Sequence, residues 1–522
     1  MYIIASKANE GLEERRTERK VGQGTVAIMS ESKKIVRNMA WNVLGLGLPL
    51  IVAIIAFPVL IDGMGVERFG VLLLAWLVVG YFSVFDFGIG RAITKLVAEK
   101  RGLDARDELP GLIHTSLFLM TILGLVGAFA FAAITPWLVS DVLKIPGNLL
   151  SETLSAFRIL ALSIPIVVIS TTLSGVLEAH QRFRLVNSVR LPLGVATFLV
   201  PLMLLPISNS LELFVVALVA VRFFAVIAYV FMCFAVVTGL RSTFAIVPAV
   251  IPVLLRLGGW MTVSNLVSPL MVYLDRFFVG ALISMAAVTY YTTPYELVTR
   301  AFLLPRAVMG VLFPEFAATL ARDPAETAVL FRRWRNYIFS IMFPFTLVVA
   351  SLSADLLKVW LGQEFADQSA VVLQLLALGV LINSLAQLAF GLIQGAGQPK
   401  VTAGIHIVEL PFYLFMLWYL VNQYGINGAA LAWLIRVGVD AFVMFYFAYR
   451  TLPKQKSHVW QSIALGLLVG FLLIVGPRLP SLSLRLLYVA VVLAAFLPVV
   501  WLVLLCPDDR ISLKNRFRRA SR

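Results

Sequence analysis

Residues 211–237 read LELFVVALVAVRFFAVIAYVFMCFAVV, an apolar run whose charges are Glu212 at its edge and Arg222 near its middle. About 20 helical residues cover the hydrocarbon core of a bilayer, so this run is long enough to cross it. The apolar residues are continuous and do not alternate with period two, which favours a helix over a barrel strand. A charge at that depth is costly unless it faces a partner or a wet cavity, so Arg222 needs an explanation. The same pattern returns at 427–449, NGAALAWLIRVGVDAFVMFYFAY, where Arg436 stands 214 positions after Arg222.

Other residues recur at nearly that spacing. Trp41 returns as Trp260, 219 positions on, and Leu60-Ile61, Val66 and Phe69 return as Leu282-Ile283, Val288 and Tyr291, each 222 on. Gly175-Val176-Leu177 becomes Gly391-Leu392-Ile393, and Leu191-Pro192 becomes Leu410-Pro411. Leucine-rich helices can agree by chance, but these matches keep their order and include Trp, Pro and Arg. Two similar bundles facing each other across a central cavity are the architecture of a transporter.

Composition agrees. The chain has 522 residues, of which 60% are hydrophobic, and a mean hydropathy of +0.92. Lipid is therefore the solvent for most of it. The net charge of +15 sits in loops between apolar runs, which points to anionic membrane lipids as partners and not to nucleic acid. Cys233 and Cys506 both lie in or at apolar segments, so no disulfide framework is implied. The four histidines show no metal-ligand spacing, and no cofactor or metal is expected. No cleavable signal peptide is read, and the run Met29-Ser30-Glu31-Ser32-Lys33-Lys34 would make a natural translation start.

About fourteen segments satisfy the length rule: 38–61, 69–90, 111–138, 153–177, 188–208, 211–237, 253–278, 280–304, 335–360, 370–394, 403–422, 427–449, 459–476 and 485–506. Lys and Arg cluster in the N-terminal segment, in loops 91–110, 305–334 and 450–458, and in the tail, while the alternate loops are nearly free of them. That asymmetry places both termini in the cytoplasm and requires an even number of spans. The expected organisation is a cytoplasmic segment 1–37, a first lobe 38–250, a second lobe 251–450, an added helix pair 451–506 and a basic tail 507–522. With six helices in each lobe the repeats run parallel.

No phosphate-binding GxxxxGK[ST] loop, nucleophile motif or paired metal ligands occur, and the outward loops are short, which argues against an enzyme. The intramembrane charges carry the chemistry instead. Arg222, Arg436, Arg276 and Arg300 are the candidates to meet an anionic substrate, because a planar guanidinium suits phosphate or carboxylate. Asp86, Arg91, Asp275, Glu296 and Asp440 are candidates for gating or ion pairing. Glu296–Arg300 and Arg436–Asp440 are each four apart and can pair along one helix. Structural ion pairs or snorkelling side chains would explain the same residues.

Phe85-Asp86-Phe87-Gly88-Ile89-Gly90-Arg91-Ala92-Ile93-Thr94-Lys95-Leu96-Val97 resembles a segment of polysaccharide-biosynthesis flippases of the O-antigen type, in the multidrug/oligosaccharidyl-lipid/polysaccharide exporter superfamily. Tyr273-Leu274-Asp275-Arg276-Phe277, Tyr290-Tyr291-Thr292-Thr293-Pro294-Tyr295-Glu296 and Gly425-Ile426-Asn427-Gly428-Ala429-Ala430 extend the resemblance over residues 33–450. It implies an all-α, V-shaped, two-lobed bundle like that of the multidrug exporters, here with two C-terminal helices added. It further implies a flippase for an undecaprenyl-diphosphate-linked oligosaccharide (an O-antigen, capsule or exopolysaccharide unit) in a bacterial inner membrane, with a glycan polymerase and a chain-length regulator as partners. The alternatives are a cation-coupled multidrug exporter, a flippase for the peptidoglycan lipid precursor and, least favoured, a membrane glycan polymerase. Helix 1 holds no acid before Asp62, which weighs against the cation-coupled exporter.

Overall fold

The computed structural model describes residues 48–82, 89–103, 105–241, 244–453, 468–506 and 510. Asp86, the segment 1–37 with Met29, Trp41 and nearly all of the basic tail lie outside the described residues. No strand occurs among the described residues.

The first half contains α1 (Leu48–Met64), α2 (Val66–Tyr81), α3 (Ile89–Gly102), α4 (Leu109–Trp137), α5 (Leu150–Ala161), α6 (Ser163–Ala179), α7 (Phe183–Leu204) and α8 (Leu211–Val236). The second contains α9 (Val250–Leu282), α10 (Met285–Thr299), α11 (Leu303–Arg322), α12 (Pro324–Ser351), α13 (Ser353–Leu361), α14 (Gln363–Gly395) and α15 (Pro399–Thr451). The described end of the chain adds α16 (Leu468–Arg478) and α17 (Leu482–Val499). Among the described residues, seven helices are long and apolar enough to cross a membrane, and up to nine if each of two bent pairs is one span. α15 is in fact two limbs, broken where Gly425 adopts φ 58° and ψ −137°, a conformation open to glycine and strained for other residues.

Two stretches differ from the loops expected. The basic stretch 91–110 is mostly helical, as α3, and 305–334 is taken up by α11 and the start of α12. In both, apolar residues recur at helical spacing among the arginines, so burying one face outweighs the polar composition. Asp323 then sets a sharp restart, its side chain accepting from the N–H groups of Ala325 (2.8 Å) and Glu326 (3.3 Å), with Pro324 at the first helical position.

Exposed apolar side chains belt the bundle, among them Phe129 at 79% and Phe442 at 74% exposure. Such surfaces are stable facing acyl chains and unfavourable facing water. Inside, one apolar core runs continuously through both halves, and a second, smaller one is confined to the ends of α3, α4, α6, α7 and α8.

The halves meet closely at one end. A Cβ at Gly70 of α2 would fall 2.1 Å from the Met285 carbonyl oxygen of α10, so glycine is required for this approach. Thr289 donates its hydroxyl to the Val66 carbonyl over 2.7 Å, and the Trp360 indole N–H donates to the Ile54 carbonyl over 2.7 Å. The Lys144 ammonium donates to the Leu282 carbonyl at the C-terminus of α9 over 2.6 Å, where a cation also complements the helix dipole. Within the first half, Arg68 pairs with Glu152 at 3.1 Å, and Glu152 in turn accepts from the Leu211 N–H at the start of α8. The C-terminal pair docks on the second half through Arg485–Asp355 at 2.6 Å and through Phe496 packed on Phe339 and Phe343.

Candidate functional site

The second half carries a buried polar network on α9 and α10. Asp275 is 0% exposed and Arg276 is 1% exposed. Arg276 Nη1 lies 3.2 Å from Asp275 Oδ1, and Asp275 also accepts the Arg276 backbone N–H at 2.8 Å. The Tyr291 hydroxyl donates to the other carboxylate oxygen, Oδ2, over 2.6 Å. Arg276 Nη2 stands 3.6 Å from Glu296 Oε1, and Arg300 Nη2 donates to Glu296 Oε2 over 2.8 Å. The chain of charge therefore runs Asp275–Arg276–Glu296–Arg300 with alternating sign, which keeps two guanidiniums tolerable inside a bilayer.

Aromatic rings flank it. The Arg276 guanidinium carbon lies 3.9 Å from the Tyr295 ring centre, and Tyr295 packs edge-on against Trp433 at 5.7 Å. On α15, Arg436 stands 5.3 Å over the Tyr413 ring. Cation–π contacts of this kind stabilise a guanidinium without themselves using up its N–H groups.

A third group lies beside Arg436. His406, Glu409 and Asp440 bring their ligand atoms within 4.8 Å of one another, a set able to hold a cation. His406 Nε2 is 3.5 Å from Asp440 Oδ1. Asp440 thus faces His406 across the two limbs of α15, in place of the expected Arg436–Asp440 pair along one helix. Both Glu409 oxygens are buried without a hydrogen-bond partner among the described residues. A cavity of about 610 Å³ opens between the limbs, with Lys400, Glu409, Tyr413 and Arg436 among mostly apolar walls.

The expected residues divide accordingly. Asp275, Arg276, Glu296 and Arg300 come together, and Arg436 and Asp440 lie one helix away. Arg276 is too enclosed here to touch a ligand directly, because burial against Asp275 and Tyr295 consumes its surface. Arg222 stands apart on α8, half-buried, donating to the Leu218 carbonyl over 2.9 Å, and is followed in the chain by exposed Phe223 and Phe224. Arg91 is exposed near the start of α3. Sequence reading missed Tyr291, Tyr295, Tyr413, His406 and Glu409. The spacing of His406 and Glu409, three apart on one helix face, was the signal available.

Against this geometry, known proteins give a consistent answer. A family described as "Polysaccharide biosynthesis protein" matches residues 64–370. The chain belongs to the polysaccharide biosynthesis protein family. Within it, the chain is 31% identical over 412 residues to a Shigella flexneri protein named "Putative O-antigen transporter", covering 78% of this chain and 96% of that protein. It is also 21% identical over 446 residues to an uncharacterised membrane protein of Methanocaldococcus jannaschii, covering 82% of this chain and 86% of that one. The fold of this family member is shared with the lipid II flippase MurJ in an inward closed conformation, with a TM-score of 0.67 at 12% identity, covering 89% of this chain and 98% of that one. An inward-facing multidrug resistance MATE transporter of the MOP superfamily gives 0.64 at 15% identity, covering 78% of this chain and 97% of that one. This polysaccharide biosynthesis family member is a multi-pass membrane protein with a transporter fold.

Proposed function

We propose that this protein is a flippase that moves an undecaprenyl-diphosphate-linked oligosaccharide across a bacterial inner membrane by alternating access. The observation that carries this reading is the 31% identity to an O-antigen transporter over 96% of that relative, on a fold shared with a lipid II flippase.

The architecture is read as two parallel six-helix lobes, about fourteen spans in all, with both termini cytoplasmic. Corresponding packing supports the repeat. α6 packs on α3 and α4, and α14 packs in the same way on α11 and α12. Phe69 and its repeat mate Tyr291 are both fully buried. The close approach of α2 and α10 supports closure at the outer end, while the start of α9 also packs on the first half through Leu254. Rocking one lobe against the other would then expose the path alternately to each side.

The anionic diphosphate needs cations along that path, and the glycan needs water. Arg222, Arg436 and half-exposed Arg300 are the residues assigned to the phosphates. Arg276 acts one step behind them, fixing Glu296 and so the direction in which Arg300 points. Asp86 and Arg91 are assigned to the cytoplasmic gate. The lipid tail stays in the bilayer. A glycan polymerase and a chain-length regulator are the proposed protein partners. Complementation of a flippase-null strain tests the reading: surface glycan is restored by the wild type, and failure to restore any glycan would overturn it.

A cation-coupled multidrug exporter is the second reading, favoured by the His406–Glu409–Asp440 group. It requires drug efflux that collapses when Glu409→Gln is introduced, with no effect on lipid-linked sugar.

A further inference from the structure

Far from the buried network, the ends of α3, α4, α6 and α8 enclose a second cavity of about 390 Å³. Arg101, His180, Gln181 and Arg182 line it, with Leu109 and the 236–238 stretch completing the wall. No carboxylate lines it among the described residues. Two acids close in the chain to lining residues are already engaged, since Glu108 pairs with Lys100 at 2.6 Å and Glu178 with Arg190 at 2.8 Å. Neither Arg101 nor Arg182 has an ion-pair partner among the described residues. Arg101 reaches over to the Ala179 carbonyl, which holds its guanidinium at the mouth.

The turn between α6 and α7 shapes this cavity. Gln181 has φ 56°, the one left-handed non-glycine backbone among the described residues, and it turns His180 and Arg182 toward the same space. α7 then begins at the cavity with no side chain capping its first N–H groups, so the positive end of a long helix adds to the two guanidiniums.

We propose that this cavity binds a phosphate group at the membrane face assigned to the cytoplasm. Phosphate is the fitting chemistry: two guanidiniums line the cavity beside the start of a helix, and no carboxylate lines it among the described residues. The source is either the headgroup of an anionic phospholipid, for which the interfacial position is suited, or a free phosphate.

His180 makes the site sensitive to pH. Its Nδ1 lies 2.9 Å from the Val176 carbonyl, which only accepts, so Nδ1 carries the proton and neutral Nε2 presents a lone pair. Burial, chiefly, and then the charges of Arg101 and Arg182 hold its pKa below the usual histidine value, while the Val176 bond opposes them. Of the other charged groups around it, Glu178 and Lys100 are neutralised by their partners, and the 236–238 stretch at the end of α8 contributes none. A bound anion favours the imidazolium, whose Nε2–H then donates, so binding strengthens as pH falls.

The test uses the full chain purified in detergent, titrated with dihexanoyl phosphatidylglycerol, dihexanoyl phosphatidylcholine and inorganic phosphate, with bound ligand followed by native mass spectrometry. Arg101→Gln combined with Arg182→Gln should weaken binding about tenfold or more, while Arg184→Gln, just outside the cavity, leaves it unchanged. Phosphatidylglycerol binding without inorganic phosphate binding assigns the site to a lipid headgroup; phosphate binding alone, or with equal avidity, assigns it to the free anion. His180→Gln should flatten the pH dependence, and this arm stands by itself if the double variant fails to fold. Equal binding by the double variant, equal loss in Arg184→Gln, or an unaltered pH profile in His180→Gln would each overturn the proposal.

Discussion

Tyr291 holds one carboxylate oxygen of Asp275 while Arg276 holds the other, so one fully buried carboxylate joins α10 to α9. This relationship makes Tyr291 a structural partner of a charge, and its hydroxyl cannot be lost cheaply. Removing a hydrogen bond to a buried charge costs about 1.5–3 kcal/mol. Tyr291→Phe should therefore lower the thermal stability of the purified protein by that order. Asp275→Ala strands Arg276 without its main partner and should cost about 3–5 kcal/mol. Thermal unfolding in detergent checks both, and a Tyr291→Phe protein as stable as wild type would show the hydroxyl idle.

Gly70 sets how closely the halves approach. A methyl there would meet the Met285 carbonyl at 2.1 Å, which backbone cannot easily yield. Gly70→Ala should cost about 1–3 kcal/mol by overpacking and part the halves at this end. In a background lacking Cys233 and Cys506, a cysteine replacing Tyr81 should then react faster with a membrane-impermeant thiol reagent added from outside. Unchanged labelling would mean that this contact does not close the path.

Arg222→Ala and Arg436→Ala should each reduce export of lipid-linked glycan by about tenfold or more, a loss of transition-state stabilisation near 1.4 kcal/mol, with protein levels near normal. Neither residue lies in an ion pair among the described residues. Surface glycan and membrane-fraction immunoblots, measured together, separate the two effects. Full export by both mutants would remove the cationic path from the account.

Arg300→Lys tests orientation more finely. Lysine keeps the charge and loses the planar fork that meets Glu296. Export should fall severalfold while stability changes by under about 1 kcal/mol, as expected for a partly exposed pair. A stability loss matching the loss of export would make Arg300 structural.

Much of this was legible in the sequence for physical reasons. Apolar length reported an all-helical, multi-pass membrane chain because a helix satisfies its own backbone hydrogen bonds in lipid, and Glu296–Arg300 was visible because the two stand four apart along one continuous helical run. Asp275 and Tyr291 meet only because α9 and α10 fold back on each other, so no spacing rule joins them. The Arg436–Asp440 expectation failed for the same reason. Helix geometry permits that pair, but His406 on the facing limb stands against Asp440 instead. The helices at 91–102 and 303–322 were hidden by their charge, which reads as loop unless the buried face is weighed separately.

The most direct measurement is reconstitution of the purified protein into liposomes carrying a defined undecaprenyl-diphosphate-linked sugar in one leaflet, with its appearance in the other leaflet followed over time. The account predicts translocation well above protein-free liposomes, and a clear reduction when Arg436→Ala replaces the wild type. Translocation no faster than in protein-free liposomes, from protein that unfolds cooperatively and restores glycan export in cells, would contradict it.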